Sequence, residues 1–125
     1  MQSILGNTRK TDITFHANGR IDISARVVKA LSIQEGDVLD IMADEGEYYL
    51  YVRFHAPVVG RHEATCFPTN PRSNHFRAWS SRLCRFMLEQ SGSVADSVPL
   101  GLGMPVILPC LGIALPIICK HILKP

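Results

Sequence analysis

The stretch from Ile13 to Leu31, ITFHANGRIDISARVVKAL, decides how the chain folds. Apolar and polar residues alternate from Ile13 to Ala17 and again from Arg20 to Ile23, which predicts two strands. The dipeptide Asn18-Gly19 between them tolerates positive φ and predicts a turn or bulge. The chain is therefore expected to open with a pair of adjacent strands.

A short helix is predicted directly after this strand pair. Ser24 can cap it, because a serine hydroxyl accepts a hydrogen bond from a backbone N–H that lacks a partner in the first turn. The helix Ala25–Leu31 then has an apolar face and a basic face. The apolar face carries Val27, Ala30 and Leu31, and the basic face carries Arg26 and Lys29.

Two further strands complete this unit. Residues 33–37 form a turn, Val38–Ile41 is strand-like, residues 44–47 form a polar turn, and Tyr48–Arg53 is an aromatic and β-branched strand. A unit of about 40 residues lies near the lower limit of independent stability. It is therefore expected to pair, either with another chain or with the rest of this one.

Composition divides the chain into two modules. With 125 residues and 46% hydrophobic content, the chain can bury a packed interior, which argues against disorder. Residues 1–55 form the first module and 75–125 the second. Residues 56–74 read as a linker, since Pro57, Gly60, Pro68 and Pro71 interrupt any regular pattern.

The second module is predicted to open with an amphipathic helix capped by Ser73 or Asn74 and ended by Gly92. An apolar stripe along it predicts a face in the core, with the tryptophan buried. The stripe consists of Phe76, Trp79, Leu83, Phe86 and Met87.

The tail from Ser97 to Cys119 has no charged residue, and these 23 residues would be long enough to cross a bilayer as a helix. Four prolines within it would remove hydrogen bonds that hydrocarbon cannot replace, so buried strands are favoured and no membrane partner is expected. Met104–Leu108 and Ile113–Ile118 are the predicted strands, with a turn at residues 110–112. The predicted fold class is α+β, mainly β, with a C-terminal β-hairpin.

An internal repeat is an alternative view of the same pattern. Arg82–Leu88 followed by two apolar strands echoes Arg26–Leu31 followed by its hairpin. In that case the second half would supply the complement that the first half needs. The sequence leaves open whether residues 75–125 share a core with the first module or stand apart.

The run from Asn18 to Ile41, followed by a turn and Tyr48–Leu50, resembles the AbrB family of bacterial transition-state regulators and the related MazE-type antitoxins. The resemblance covers residues 13–52, and residues 54–125 resemble no family that we recognise. Its most specific pieces are Gly19-Arg20 before an alternating strand and Gly36-Asp37 opening another. The second pair looks like the turn of small cradle-loop barrels.

This resemblance implies a β-barrel built as a homodimer from interleaved (swapped) hairpins, with DNA held by basic residues of the loop and helix. Arg20 matches the family's Gly-Arg arginine, and Lys29 matches the second residue of its basic helical pair. Val28 stands where the first basic residue is usual, and Arg26 on the same helix can compensate. The nucleic-acid-binding residues expected from the resemblance are therefore Arg20, Arg26 and Lys29.

Charge is distributed unevenly along the chain. The net charge is +2, but residues 1–60 contribute −2 and residues 61–125 contribute +4. A secondary basic surface is therefore predicted in the second half, where it could contact phosphates or simply form a solvated helix face. It comprises Arg72, Arg77, Arg82 and Arg85.

Nothing in the sequence predicts catalysis, a metal or a cofactor. The four cysteines and five histidines lack zinc-finger spacing, and no glycine-rich phosphate loop precedes a helix. The N-terminus lacks a secretory signal pattern, so a cytoplasmic protein is expected. The leading hypothesis is a DNA-binding transcriptional regulator acting as a dimer. The alternative is a protein–protein interaction module, antitoxin-like or structural, that does not bind DNA.

Overall fold

The computed structural model describes residues 11–55, 63–92 and 94–122, and it is mainly β with two helices. The elements of these residues follow in chain order. They are β1 (Ile13–His16), β2 (Arg20–Ile23), α1 (Ala25–Leu31), β3 (Val38–Asp44), β4 (Glu47–Phe54), β5 (Phe67–Pro68), β6 (Phe76–Trp79), α2 (Ser81–Gln90), β7 (Ser97–Leu102), β8 (Val106–Leu108) and β9 (Gly112–Ile122).

The strands form one antiparallel sheet in the order β3-β4-β9-β7-β1-β2-β6-β5, and β8 pairs with β9 beside this path. The sheet curls so that its two ends approach each other. The N–H of Leu39 donates to the carbonyl of Ala64 at 3.0 Å, and that of Cys66 donates to the carbonyl of Asp37 at 2.8 Å. These bonds join the start of β3 to the segment before β5, which gives the sheet a barrel-like shape.

Each half of the chain has one pair of antiparallel strands before its helix and a second pair after it. The β1–β2 pair corresponds to β5–β6, and β3–β4 corresponds to β7–β9. Each half also starts its helix at a serine. Ser24 accepts from the N–H of Val27 at 3.5 Å, and Ser80 accepts from the N–H of Leu83 at 3.1 Å.

Strands of the second half occupy the open edges of the first. β1 pairs with β7, β2 with β6 and β4 with β9, all antiparallel. The edges that the family resemblance assigns to a second chain are thus covered by this chain's own strands. One hydrophobic core contains side chains from both halves, among them Phe15, Ile21, Leu31, Leu50, Cys84, Met87, Leu100 and Leu115.

The mainly β fold predicted from the sequence is confirmed. In the first half, β1, β2, α1, β3 and β4 lie where alternation and the serine cap placed them. In the tail, β8 and β9 match the predicted hairpin, although β9 extends to Ile122. Neither helix is long and apolar enough to cross a membrane, and no other helix occurs among the described residues.

The prediction of a helix from residue 76 was wrong over its first turn. Residues 76–79 form β6, and the helix begins only after Ser80. Residues three apart in a strand point to opposite faces. Phe76 therefore packs against the core whereas Trp79 is 52% exposed, so the prediction that Trp79 is buried was also wrong.

The sequence reading also missed β7. Val98, Leu100 and Leu102 are fully buried along this strand, and β7 lies between β1 and β9. The sequence does not predict this strand because it contains Pro99 and Gly101, and proline and glycine are depleted within sheets. The predicted linker contains β5 and the bridge at Thr65, while its residues 56–62 lie outside the described part of the chain.

Candidate nucleic-acid interface

The outward surface of β1, β2, β6 and β5 brings basic and aromatic side chains together. Arg20 lies opposite Trp79 and Asp22 lies opposite Arg77 in the β2–β6 pair, and Arg77 lies opposite Phe67 in the β5–β6 pair. Side chains of directly opposed residues point to the same side of a sheet. We call the set His16, Arg20, Asp22, Phe67, Arg77 and Trp79 the arginine–tryptophan face.

The turn before β2 fixes the position of Arg20. Gly19 adopts a φ of +94°, which glycine reaches without strain, and its carbonyl accepts from the N–H of Ser80 at 2.8 Å. A Cβ at Gly19 would lie only 3.1 Å from the hydroxyl of Ser81. The backbone N–H of Arg20 donates to Asn18 Oδ1 at 3.0 Å. The turn is thus held against the start of α2.

Asp22 holds three basic groups at the centre of this face. Its Oδ1 accepts from Arg77 Nε at 3.0 Å, and its Oδ2 lies 2.7 Å from His16 Nε2 and 3.3 Å from Arg20 Nε. The Arg20 nitrogen is buried and makes no hydrogen bond within the described residues, so that contact is an ion pair only. Two guanidinium groups around one carboxylate leave a surplus of positive charge.

The ionisation of Asp22 reflects these contacts. Burial by itself raises the pKa of the Asp22 carboxyl. Hydrogen bonds with His16 and Arg77 and the charge of Arg20 outweigh it and hold the pKa below the ordinary value of 3.8. The carboxylate therefore remains charged at neutral pH and keeps the two arginines in place.

The tautomer of His16 follows from two distances. Its Nε2 lies 2.7 Å from Asp22 Oδ2 and 3.3 Å from Arg20 Nη2. One ring nitrogen cannot donate to the carboxylate and accept from the arginine at the same time. The shorter distance favours an Nε2–H that donates to Asp22, so the second contact leaves the Arg20 Nη2 donors available.

Two aromatic rings border the arginines. Trp79 is 52% exposed and Phe67 is 42% exposed, although large aromatic side chains are usually buried. The two positions are diagonal neighbours across β5 and β6, which places them roughly 7–8 Å apart. An exposed tryptophan between arginines is unexpected for a purely structural surface.

Acidic and basic groups beside this face are already paired. Glu63 accepts from Ser80 Oγ at 2.5 Å and from Arg82 Nε at 3.1 Å, and these hydrogen bonds lower the pKa of the Glu63 carboxyl. The charge of Glu63 is thus balanced by Arg82. Arg72 is exposed in the connection between β5 and β6.

The structure distributes the predicted basic residues over different surfaces. Arg20 and Arg77, which the sequence assigned to separate modules, lie on adjacent strands and share one carboxylate. Arg26 and Lys29 lie on α1, beyond the other end of β2. Arg85, on the exposed side of α2, lines a different depression. Sequence reasoning missed the contribution of Trp79, although Phe76-Arg-Ala-Trp79 alternates as a strand does.

Arg26 has a structural contact of its own. Its Nη1 lies 2.9 Å from Oδ2 of Asp12, which is almost fully buried, and the same oxygen accepts from the N–H of Leu102 at 2.6 Å. Arg26 thus neutralises a buried carboxylate between α1 and β7. This ion pair gives Arg26 a structural role that does not involve nucleic acid.

The described residues give little support to a small-molecule site, a metal site or a reactive cysteine. A cavity of about 580 Å³ lies between β3, β4 and α2, and its charged groups form the pairs Asp40–Arg53 and Glu63–Arg82. No group of three potential metal ligands occurs in the described part of the chain. Burial raises the pKa of the Cys66 thiol to about 12, so this thiol stays protonated and unreactive at neutral pH.

No protein-family model, curated protein or solved structure matches this chain. The case for a function therefore rests on the geometry of the arginine–tryptophan face and on the residues of the sequence.

Replacing Asp22 with asparagine should change how stability depends on pH. A carboxyl whose pKa is lowered by folding contributes stability above its unfolded pKa, and this contribution is lost as pH falls through the folded pKa. Asp22→Asn should therefore lower the melting temperature at pH 7, and this difference should shrink as pH falls below the ordinary carboxyl pKa of 3.8. Thermal unfolding of both proteins from pH 2.5 to 7 measures this. A difference that stays constant over the range would contradict it.

Proposed function

We propose that the protein is a DNA-binding regulator and that the arginine–tryptophan face contacts the DNA. The observation that carries the proposal is the convergence of Arg20 and Arg77, one from each half of the chain, on adjacent strands. The resemblance of residues 13–52 to AbrB-type regulators supports it, since the same resemblance assigns Arg20 to DNA contact.

The chemistry of the face suits a phosphate backbone. Guanidinium groups bind phosphate oxygens in a bidentate manner, and Asp22 orients both arginines before a ligand arrives. A face with two arginines, a histidine and one carboxylate attracts a polyanion, although the chain as a whole carries only +2. Binding of this kind releases counterions and weakens steeply with salt.

Arg20→Ala together with Arg77→Ala is expected to weaken DNA binding by about tenfold or more and to lower the magnitude of the salt slope by about two. Fluorescence anisotropy with a labelled DNA across a salt series measures both quantities. The matched control is Lys29→Ala with Arg85→Ala, which removes the same charge from the exposed sides of α1 and α2. An equal loss in the control would assign binding to overall charge or to the helices, and the face would be rejected.

Asp22→Asn should act in the opposite direction on binding. It removes the one acidic group of the face, and this change in charge should outweigh the loss of the contacts that orient the two arginines, so DNA affinity should rise by roughly threefold to tenfold at low salt. The same anisotropy titration tests this. A decrease in affinity in a folded Asp22→Asn protein would show that Asp22 serves chiefly to position the arginines.

A second candidate function is association with another protein, and the hairpin β8–β9 favours it. Met104 and Ile107 are 76% and 82% exposed and Ile113 is also exposed, while β8 pairs with β9 alone among the described strands. An open strand edge with apolar side chains is a template for strand addition. The occupant that we propose is a second copy of the chain, joined through two β8 edges.

This dimer differs from the swapped-hairpin dimer that the resemblance implies, since β1, β2 and β4 are already paired within one chain. Light scattering across a concentration series should show a mass twice that of the 13.9 kDa chain at the highest concentrations. Ile107→Lys should return the mass to that of one chain. A single-chain mass at every concentration would exclude a homodimer by either route.

A further inference from the structure

Trp79 and Phe67, the two aromatic residues of the arginine–tryptophan face, are both exposed. Trp79 and Phe67 lie on the outward side of the sheet, whereas the hydrophobic core is filled from its inward side. Both occur on short strands, where a polar or β-branched residue would serve the backbone equally well. Exposed aromatic rings grouped in this way mark a surface that binds something flat and apolar.

The rings alternate with the positive charges. Across the β2–β6 pair Trp79 faces Arg20, and across the β5–β6 pair Phe67 faces Arg77. Each ring therefore belongs to a residue directly opposite an arginine, and the two pairs are displaced by two residues along β6. A polymer that offers a phosphate and a flat ring at each repeat would match both pairs together.

A single nucleic-acid strand has this composition, and a duplex does not present it. In a duplex the faces of the bases stack on one another, so only their edges reach a protein surface. An unpaired strand exposes the faces, and aromatic side chains stack on them. Stacking on Trp79 and Phe67 thus requires bases that are not paired.

The surface beside the tryptophan ring has a depression that can hold the edge of a base. A depression of about 240 Å³ lies next to Trp79, between the turn at Asn18-Gly19 and the start of α2. Asn18 and Ser81 line it with exposed polar side chains, and the acidic Glu63 at its border is neutralised by Arg82. Polar groups that contact the edge of a stacked base give a modest sequence preference.

We infer that the DNA bound by this face is single-stranded, with bases stacked on Trp79 and Phe67 and phosphates held by Arg20 and Arg77. This inference rests on the proposed function and deepens it by naming the form of the DNA. It differs from the family resemblance, which concerns contacts from the loop and the helix. The face binds along β6, so two adjacent bases occupy the two rings.

The chain offers a direct probe, because Trp79 is its one tryptophan. A thymine oligonucleotide should quench the intrinsic fluorescence of Trp79 in proportion to binding, since stacking on a base quenches the indole. A hairpin duplex of the same number of nucleotides should bind at least about tenfold more weakly, because it lacks accessible base faces. Both ligands are compared at the same salt concentration, and anisotropy of the labelled DNA gives the bound fraction independently.

Variants separate stacking from charge. Trp79→Ala should weaken binding of the thymine oligonucleotide by about tenfold, whereas Trp79→Phe should keep most of it, since a phenyl ring also stacks on a base. Phe54→Ala is the matched control. Phe54 is also a partly exposed aromatic residue beside an arginine, with Arg53 5.1 Å from its ring, but it lies on β4 away from the face. This control should bind like the original protein.

The outcomes distinguish this inference from the proposed function. Duplex binding as tight as single-strand binding, with Trp79 unquenched, would overturn the inference and leave DNA binding in place. Equal losses in Trp79→Ala and Phe54→Ala would also overturn it. Binding of neither ligand at low salt would overturn both proposals.

Discussion

A chain ended after Ser97 is expected to remain unfolded in buffer at 25 °C. This truncation removes β7, β8 and β9, and with them the strands that pair with β1 and β4. It also removes Leu100, Leu102 and Leu115 from the core. The 97 residues that remain keep α2 but leave β1 and β4 without these strand partners and leave a large gap in the core. Circular dichroism and a cooperative urea transition test the prediction, and a cooperatively folding product would contradict it.

Two substitutions in the same segment refine this test. Leu100 is fully buried in β7, so Leu100→Ala should lower the free energy of unfolding by about 2–5 kcal/mol. Ile107→Ala removes apolar atoms from an exposed side chain of β8 and should change it by less than about 0.5 kcal/mol. Urea denaturation of the full chain measures both. Similar values for the two would show that β7 does not lie in the core.

The second large effect is expected at Asp12, the buried carboxylate between α1 and β7. Asp12→Ala should destabilise the protein by about 2–4 kcal/mol, because Arg26 loses its counter-charge and the N–H of Leu102 loses this acceptor. Arg26→Ala should also destabilise the protein, since it removes a counter-charge 2.9 Å from the buried carboxylate. Both values come from urea denaturation.

The double variant separates a structural from a DNA-binding role for Arg26. Asp12→Asn with Arg26→Met removes both charges and should be closer in stability to the original protein than Arg26→Ala. The same folded double variant should bind DNA about as tightly as the original protein. A loss of affinity comparable to that of the Arg20 and Arg77 double variant would restore Arg26 to the binding surface, as the family resemblance predicts.

Local patterns predicted the first half of the fold well. The alternation around Asn18-Gly19 and the cap at Ser24 depend on residues that are near in sequence, so both can be recognised without knowledge of the rest of the chain. β7 was missed for the opposite reason. Its burial comes from two neighbouring strands far away in sequence, which override the unfavourable Pro99 and Gly101.

The candidate site could be predicted only in part. Arg20 was found because it matches a motif, and Arg77 was found because basic residues are frequent nearby. Their meeting at Asp22 depends on the β2–β6 register, which no local pattern gives. The spacing of residues 76, 79 and 83 suits a helix and predicts that Trp79 lies in the core. Alternation with a period of two over residues 76–79 would predict a strand, but four residues are too few to decide between the two.

The repeated pairing of the two halves has a consequence for how the surface can vary. Where two identical polypeptides meet about a two-fold axis, each exchange of an amino acid appears on both sides of the seam. Here β2 and β6 meet across such a seam within one polypeptide, and they carry different side chains: Arg20 on β2 faces Trp79 on β6. A mutation can therefore alter the charge on one side and leave the ring on the other side unchanged. The two sides can specialise independently, and they remain together however dilute the protein is.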